Sequence, residues 1–572
     1  MKKRTFIIIV SVLAIACAVF AIAAFHEDRE YIAKNPEAED TEIYWSNVKA
    51  NYINSSSFTV VIDGTQADVS VGDIYMTADG TLMIAQSVIE EDFGCAVNIY
   101  DVTTVRVVKG LIDAEATVGS AKVDMGSETI EMSYPILYSG ETLYFPEEFV
   151  TDVLGYDSDL DTYLLTASYT CSNEDLLTLP SSYSSEDYDR LPSVKNQGEF
   201  GACWAFAALS AIEAGLLPEE DVELSADHLI YNNGFGSTSG GGDQIMSMSY
   251  LVSWKGPVYE EDDPYGDSET DSSLSAVYHV QEIQYLESKD YDAIKEAVML
   301  YGAVETSLYI ATISDLYIDF SYYNYYRAAY CYYGEEETVN HEVIIVGWDD
   351  DYPAEYFEGD VSSDGAFICL NSWGDGFGTE GVFYVSYEDV YIGTTSVVYT
   401  KVESADNYDN IYQYDDVGWT ANIGYGRNTA YMANVYTASS DEDLEAVGFY
   451  AVGSDTDYEV YVITDYKNES SLNTEDEVVY ASGNLENSGY YTIELDEAVE
   501  LSAGEEFAVI VKINTPGSGK PIAYEMDTGT ERTSAITTQG KYSYISSYGQ
   551  EWECTQEEYG ANVCLKAYTS LR

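Results

Sequence analysis

The stretch "NQGEFGACWAF", Asn196 to Phe206, determines how the middle of this 572-residue chain folds. Cys203 begins the run "CWAFAALSAIEAGLL", which is apolar on all sides, has few β-branched residues and is followed by Pro218. This pattern predicts a buried central helix with Cys203 in its first turn. The start of a helix places backbone N–H groups and the positive end of the helix dipole at the sulfur. Cys203 is therefore a candidate nucleophile, because these groups favour the thiolate form.

A nucleophilic thiol needs a base, and the chain contains four histidines. His26 lies beside an apolar N-terminal segment, His228 lies in a helical pattern, and His279 lies in an ordinary predicted strand. His341 lies in "VNHEVIIVGWDD", where a polar loop turns into a buried strand. By elimination His341 is the best candidate base. It follows Cys203 by about 138 residues, a spacing found in enzymes with a catalytic thiol and histidine.

An imidazole also needs a partner that orients it. About thirty residues after the histidine comes "FICLNSWGDGFGTEGVFYVSY", where a predicted strand, Phe367 to Leu370, delivers Asn371. The amide of Asn371 can accept a hydrogen bond from the imidazole, and Trp373 can shield that bond from water. Gln197 lies six residues before Cys203. Its side-chain amide and the backbone N–H of Cys203 can hold a developing oxyanion.

Five motifs occur in a fixed order along residues 190–400: "VKNQGEFGACWAF", "LSADHLIY", "GGGDQ", "NHEVIIVGW" and "NSWGDGFGTEGVFYV". On these motifs the segment resembles a papain-like cysteine peptidase. The resemblance implies an α+β fold of two lobes, one helical and one built on a β-sheet, with the substrate cleft between them. It implies protein or peptide substrates and no cofactor or metal.

The same resemblance assigns roles to four residues. Cys203 is implied as the nucleophile, His341 as the general acid and base, and Asn371 as the residue that orients the imidazole. Gln197 is implied as the side-chain donor of the oxyanion hole. The amide of Asn371 suits this role because the working pair is a thiolate and an imidazolium.

Substrate-binding residues also follow from the resemblance. Gly241 and Gly242 match the glycines whose backbone pairs with an extended substrate, and Trp373 is expected in the cleft. Glu342 stands where papain-like enzymes commonly have a small residue beside the pocket for the second residue before the cut. A carboxylate there would favour Arg or Lys in that pocket. The alternative is that Glu342 turns away and leaves an ordinary apolar pocket.

The N-terminal flank, residues 40–170, alternates apolar and polar residues in short runs, which predicts β-strands. Thr81–Gly94 and Thr142–Gly155 match without a gap, and each predicts a strand followed by a short helix that ends at glycine. This duplicated unit resembles the stalk-like domain related to the N-terminal domain of copper amine oxidases. It has no histidine cluster for copper, so a spacer or adhesion module is the favoured interpretation. Residues 171–189 are polar and Ser-rich, which predicts a linker.

The C-terminal segment, residues 405–572, returns to short alternating strands separated by Gly, Asn and Asp, which predicts an all-β sandwich. By position and pattern it resembles the lectin-like domain that follows papain-like domains in some clostridial surface proteins. The resemblance implies a carbohydrate or other cell-surface ligand. Cys554 and Cys564 flank a predicted turn, so we expect a disulfide between them, with two buried free thiols as the alternative.

Composition and the N-terminus bear on location. Residues 1–30 carry a basic start followed by an apolar run, Phe6–Phe25, which predicts a signal peptide or an uncleaved membrane anchor. The body of the chain is then expected outside the cytoplasm, secreted or at a bacterial surface. The net charge of 24 − 101 = −77 argues against nucleic acid and anionic lipid as partners.

The sequence as a whole predicts a multidomain protein with a papain-like α+β core between a β-rich α+β stalk and a C-terminal sandwich. The leading functional hypothesis is an extracellular or surface-anchored cysteine endopeptidase. Two alternatives remain: an inactive papain-like adhesin, and an amidase that cleaves cell-wall peptides. The complete set of Gln197, Cys203, His341 and Asn371 favours an enzyme over an adhesin.

Overall fold

The computed structural model describes residues 58–572 apart from 68, 70–71, 78–79, 100–102, 111, 126–128, 140–141, 162–164, 173–177, 219, 237–240, 267–268, 315–316, 336–337, 465, 475–476 and 539. The chain divides into two compact units, residues 1–180 and 181–572. Within the described part, no helix is long and apolar enough to cross a membrane. The predicted N-terminal segment Phe6–Phe25 lies outside the described residues.

The first unit is built from short strands and two helical turns. The strands are β1 (Thr59–Ile62), β2 (Thr65–Gln66), β3 (Ile74–Met76), β4 (Leu82–Ala85), β5 (Ala96–Ile99), β6 (Thr104–Lys109), β7 (Ile112–Thr117), β8 (Lys122–Asp124), β9 (Thr129–Glu131), β10 (Leu137–Ser139), β11 (Thr142–Pro146), β12 (Tyr156–Asp161) and β13 (Thr166–Cys171). Helix α1 (Gln86–Glu91) follows β4, and a π-helical turn, Phe149–Val153, follows β11. The strands form sheets in the orders β12-β13-β1-β2, β10-β11-β4-β3 and β5-β6-β7-β8-β9.

The internal duplication is visible in the structure. Each copy is a strand followed by a helical turn, as the sequence predicts, and each ends at a glycine of positive φ, +63° for Gly94 and +73° for Gly155. Strands β4 and β11 of the two copies pair antiparallel, with Ile84 opposite Phe145. Both of these side chains are fully buried in one core. The two copies therefore stabilise each other by sharing a sheet and a core.

The second unit begins with a strand and a group of helices. Its helices are α2 (Cys203–Leu216), α3 (Ala226–Asn232), α4 (Gln244–Val252), α5 (Tyr291–Tyr301) and α6 (Thr555–Glu558). The strands up to residue 404 are β14 (Ser182–Ser184), β15 (Tyr278–Tyr285), β16 (Val304–Leu308), β17 (Thr312–Ser314), β18 (Tyr317–Ile318), β19 (Tyr323–Asn324), β20 (Ala329–Tyr330), β21 (His341–Asp349), β22 (Ala366–Leu370), β23 (Val382–Ser386) and β24 (Ser396–Ser404). Helix α2 is buried along most of its length, as predicted, and packs against β21 and α4.

The C-terminal part is a β-sandwich. Its strands are β25 (Asn410–Tyr412), β26 (Ala421–Ile423), β27 (Thr429–Thr437), β28 (Glu442–Ala451), β29 (Thr456–Ile463), β30 (Ala481–Leu485), β31 (Ser488–Leu501), β32 (Glu506–Asn514), β33 (Ile522–Met526), β34 (Ser543–Ser546), β35 (Glu553–Cys554), β36 (Ala561–Val563) and β37 (Leu565–Leu571). One layer has the order β30-β29-β32-β27-β34-β35, and the facing layer contains β31, β28, β37 and β25. Side chains from both layers, such as Val509 and Phe449, meet in one buried core.

One sheet runs without a break from the helix-containing part into the sandwich. Its order is β19-β20-β23-β22-β21-β16-β24-β15-β31-β28-β37-β25, and the junction is the antiparallel pair β15–β31. Tyr490 and Ala523 of the sandwich belong to the same core cluster as Trp204 and Leu209 of α2. The sequence predicts two separate domains here, but in the structure the two parts share one sheet and one core.

The end of the predicted linker is part of the fold. Residues 182–184 form β14, which pairs with β21 opposite Gly347–Asp349, and Ser185–Tyr188 form a short 3₁₀ turn. Tyr183 stacks on Trp348 with ring centroids 5.2 Å apart. Gly347 makes the pairing possible, because a Cβ there would lie 2.3 Å from the Tyr183 carbonyl oxygen. Because residues 171–189 are polar and Ser-rich, the sequence pattern does not indicate this strand.

Cys554 and Cys564 are both buried free thiols, so the expected disulfide between them is absent. Cys554 packs in a cluster with Tyr461 and Tyr544, whereas Cys564 belongs to the core cluster shared with α2. The two side chains therefore face different cores. Closeness in sequence did not bring the sulfurs together, and the alternative of two buried thiols is the one that the structure shows.

Candidate active site

Cys203 is the first residue of α2, and its side chain is partly buried. Burial raises the pKa of the thiol, while backbone hydrogen bonds at Glu342, Trp204 and Cys203 itself act in the opposite direction. The hydrogen bond at Glu342 places the sulfur next to the first residues of β21. The helix start and these donors together form a site that can stabilise a thiolate.

His341 is the first residue of β21, and Asn371 directly follows β22. The two strands pair antiparallel, with Ile344 opposite Leu370, and so bring the two side chains together. The His341 Nε2 atom lies 2.8 Å from the Asn371 Oδ1 atom. Because the amide oxygen can only accept, Nε2 is the donor and Nδ1 is left to exchange a proton with a thiol.

Trp373 packs against this pair. Its ring centroid is 4.8 Å from that of His341, with an angle of 41° between the planes, and Phe377 lies edge-on to the indole at 5.0 Å. Burial lowers the pKa of His341 to about 4, and the hydrogen bond to Asn371 acts in the opposite direction. The lowered pKa keeps the imidazole neutral near neutral pH, and an adjacent anion, such as a thiolate, would favour its charged form.

Gln197 is fixed on the loop before α2. Its Nε2 donates to the Phe200 carbonyl oxygen at 2.7 Å, and its Oε1 accepts from the Ser372 hydroxyl at 2.7 Å. Its backbone N–H donates to the Ser372 carbonyl oxygen at 2.8 Å, and Tyr265 donates its hydroxyl proton to the Gln197 carbonyl at 2.9 Å. The second N–H of this amide is therefore available to donate a hydrogen bond to a substrate oxygen. Sequence reasoning missed Ser372 as the residue that orients Gln197, although it lies between two residues of a recognised motif.

Gly241 and Gly242 lie against the start of α2. A Cβ on Gly242 would come within 2.4 Å of the Trp204 ring, and a Cβ on Gly201 would lie 3.3 Å from the Gly241 Cα. Gly241 has a φ of +93°, which side chains other than glycine rarely adopt. Only glycine therefore fits this segment next to the residues that flank the thiol.

Glu342 is 6% exposed. It lies directly opposite Ser307 of the neighbouring strand β16, so the two side chains are on the same face of the sheet. Glu342 interacts with Glu305, a fully buried residue of β16 whose carboxylate accepts a hydrogen bond of 2.7 Å from the Tyr399 hydroxyl. Burial raises the pKa of both carboxyls, and the neighbouring Glu305 raises that of Glu342 further. The hydrogen bond between the two carboxyls raises the pKa of Glu342 and lowers that of Glu305, so Glu342 holds the shared proton more readily than Glu305. The sequence signal that could have identified Glu305 is the single carboxylate in the segment "AVETSL".

The other described histidines have structural partners elsewhere. His228 Nδ1 lies 2.8 Å from the Tyr250 hydroxyl. His279 stacks on Trp254 with centroids 3.6 Å apart, and its Nδ1 lies 2.6 Å from Asn407 Oδ1. His26 lies outside the described residues. Of the described histidines, His341 is the one that directly precedes Glu342, whose backbone forms a hydrogen bond with Cys203.

Comparison with known families and proteins gives two matches within the chain. Residues 179–402 match the model of the papain family cysteine protease, and residues 411–569 match the model of the lectin like domain. The chain therefore contains a papain-family cysteine protease domain followed by a lectin-like domain. Both matches begin after residue 178, so the resemblance of the first unit to a copper-amine-oxidase-like stalk stays a prediction.

Similar curated proteins are cathepsins. Pro-cathepsin H of Bos taurus is 27% identical over 203 residues, which are 34% of this chain and 55% of that protein. A viral cathepsin of Spodoptera litura multicapsid nucleopolyhedrovirus is 25% identical over 233 residues, 40% of this chain and 63% of that protein. The match thus spans between half and two thirds of the length of these relatives.

Two solved structures resemble the chain over a longer stretch. One is the clostridial cysteine protease Cwp84 after propeptide cleavage, 27% identical with a TM-score of 0.60, covering 69% of this chain and all of that one. The other contains the cysteine protease and lectin-like domains of Cwp84, described as a surface layer associated protein of Clostridium difficile. It is 26% identical with a TM-score of 0.59 and covers 69% of this chain and 89% of that one.

Proposed function

We propose that the chain is an extracellular or surface-located cysteine endopeptidase that uses Cys203, His341 and Asn371. The observation that carries the proposal is the hydrogen bond of 2.8 Å between His341 and Asn371, beside the helix start that holds Cys203. Similarity to Cwp84 supports a surface location, because that protein is described as surface layer associated. The lectin-like domain supports a carbohydrate or other surface ligand as a second partner.

The reaction begins when the Cys203 proton moves to His341 Nδ1. Burial keeps each group neutral when it is alone, since it raises the pKa of Cys203 and lowers that of His341. Thiolate and imidazolium side by side attract each other strongly in a partly buried site, which offsets the desolvation. Asn371 holds the imidazolium in place by accepting a hydrogen bond from its Nε2–H.

The thiolate of Cys203 then attacks the carbonyl carbon of the peptide bond. A C–S bond forms, and the carbonyl oxygen becomes an oxyanion held by the Gln197 amide and the Cys203 backbone N–H. When the C–N bond breaks, His341 gives its proton to the leaving amine, and a thioester remains on Cys203. His341 next takes a proton from water, the hydroxide attacks the thioester, and the thiolate leaves with the new carboxyl product released.

The test is incubation of the full chain with unfolded casein and, separately, with purified peptidoglycan. The proposal predicts new N-termini inside the casein sequence, mapped by mass spectrometry. Cleavage of wall peptides alone would indicate the amidase. Absence of any cleavage, with retained binding to a surface ligand, would indicate the adhesin and contradict the proposal.

Gln197→Ala is expected to lower kcat by about 100-fold, because one of two oxyanion donors is lost while the backbone N–H of Cys203 remains. The KM is expected to change little, since the donor acts on the transition state. The matched control is Gln284→Ala, which removes an amide that bonds only Glu282 and Asn487 among the described residues. A Gln197→Ala enzyme as fast as the control would refute the oxyanion role.

Glu342 is proposed to select Arg or Lys as the second residue before the cut. A basic side chain beside Glu342 favours the ionised carboxylate, and a charged hydrogen bond of about 1.5 kcal/mol predicts a roughly tenfold preference for a basic residue. Glu342→Gln is expected to abolish the preference, because the remaining carboxyl, Glu305, is fully buried. Glu305→Gln removes the neighbour that raises the pKa of Glu342, so the preference should be retained. A peptide library varied at this position measures both. If the wild type and Glu342→Gln prefer the same apolar residue, the pocket is an ordinary apolar one.

A further inference from the structure

Arg532 of the lectin-like domain contacts residues on both sides of the glycine pair, Gly241 and Gly242. Its guanidinium nitrogens donate to both carboxylate oxygens of Asp243, the residue directly after Gly242. Its carbonyl oxygen accepts a hydrogen bond of 2.8 Å from the Gly236 N–H, and its guanidinium lies 4.9 Å from the centre of the Phe235 ring. One side chain and its own backbone thus hold residues 235–236 and 243 together.

The loop that presents Arg532 is fixed before it makes these contacts. Asp527 accepts hydrogen bonds from the Gly529 N–H at 2.8 Å and from the Thr533 hydroxyl at 3.0 Å. The Thr528 N–H donates to the same hydroxyl at 3.0 Å. Because the loop is closed by its own side chains, the backbone that carries Arg532 is held in place, and less loop freedom is lost when Arg532 pairs with Asp243.

The contact matters because little space separates the glycine pair from the catalytic helix. Gly242 already lies against the Trp204 ring, one residue after the thiol. A shift of Asp243 by about 1 Å would move the backbone that pairs with substrate relative to Cys203, and misplacement of this size is costly. Asp243 also raises the pKa of Glu342 through its charge, so Arg532 offsets a negative charge beside the proposed specificity pocket.

We infer that Arg532 is a positioning residue for peptide substrates, so that the lectin-like domain completes the substrate-binding wall of the peptidase cleft. The inference rests on the proposed function, since it assigns the glycine pair to substrate binding. The Arg532–Asp243 pair is about one third exposed on each side, so its effect is moderate. Peptide groups that reach the glycine pair depend on Arg532, whereas the reactivity of the thiol does not.

The test compares two reagents for Cys203 in the full chain. A leucyl epoxide extends a peptide-like backbone past the glycine pair, whereas iodoacetamide needs only the thiol. Arg532→Ala is expected to slow the reaction of Cys203 with the epoxide roughly fivefold and to leave that with iodoacetamide unchanged. Arg532→Lys, which keeps the charge but loses the paired donors, should give an intermediate rate. Adducts on the peptide containing Cys203 are counted by mass spectrometry.

The control is Arg427→Ala, because Arg427 stacks on Tyr548 and donates to Ser547 within the lectin-like domain. Equal epoxide rates for Arg532→Ala and this control would overturn the inference. An equal slowing of both reagents by Arg532→Ala would also overturn it, since that result indicates a change in the thiol or the fold. Failure of the proposed function is seen separately, as a chain that reacts with both reagents but hydrolyses no peptide.

Discussion

Cys203→Ala is expected to reduce peptide hydrolysis by roughly 10⁵-fold or more while the protein stays folded. Removing one member of a nucleophile and base that act as a unit costs about as much as removing the whole unit. The side chain is small and lies at the start of α2, so alanine there keeps the helix. The measurement is the rate of hydrolysis of an unfolded protein, with circular dichroism as the check on folding.

The control is Cys171→Ala, which removes the half-buried thiol in the first unit. Cys331 is unsuited to nucleophilic attack, because burial raises its pKa to about 12. Cys171→Ala should keep full activity, because Cys171 lies in the first unit, before the matched peptidase domain. Hydrolysis by a clean Cys203→Ala preparation at more than about 1% of the wild-type rate would contradict the thiol mechanism.

Lys566→Met is expected to lower the free energy of unfolding of the 181–572 unit by about 3–5 kcal/mol. Lys566 and Asp415 form an ion pair of 2.7 Å in which both side chains are almost completely buried. Lys566 also donates to Gln413, whose amide donates to the Ser253 carbonyl across the junction between the two domains. Methionine fills similar space but leaves the Asp415 carboxylate buried without its cation, which is the costly part.

Urea unfolding followed by fluorescence measures the effect. Lys541→Met is the matched control, since Lys541 pairs with Glu557 at 2.6 Å on the surface and its loss should change stability little. Adding Asp415→Leu to Lys566→Met should recover much of the loss, because the unpaired charge is then removed. A Lys566→Met protein as stable as the control would show that this pair does not stabilise the junction.

The elements of the candidate active site were predictable because the chemistry proposed for them restricts the sequence. A reactive thiol needs a helix start and close-packed glycines, which is why "GACWAF" predicts α2 with Cys203 in its first turn, as the structure has it. His341 and Asn371 are polar residues at the ends of buried strands, where a side chain can leave the core and reach the cleft. Local patterns of this kind predict an element without knowledge of its neighbours.

The junction between the two domains was not predictable. Tyr278–Tyr285 and Ser488–Leu501 each look like an ordinary strand, and nothing in either pattern indicates that they pair across about 200 residues. Arg532 and Asp243 are likewise 289 residues apart, and although Asp243 lies in the motif "GGGDQ", nothing in the sequence pattern indicates Arg532 as its partner. Such contacts depend on how complete sheets meet, so they become visible only in the folded chain.

Two local predictions differ from the structure for a related reason. Cys554 and Cys564 are close in sequence but face different cores, so the bridge between them is absent. The predicted role of Glu342 rests on this residue alone, whereas the structure places it against Glu305. In both cases the decisive partner comes from another element of the fold.

The most direct test of the central claim is to identify the residue that a peptidyl epoxide modifies, in the wild type and in His341→Ala. The proposed mechanism predicts one adduct, on Cys203, whose formation slows by about 100-fold or more without the imidazole. Labelling spread over several cysteines, or an equal rate in His341→Ala, would contradict a thiol activated by His341.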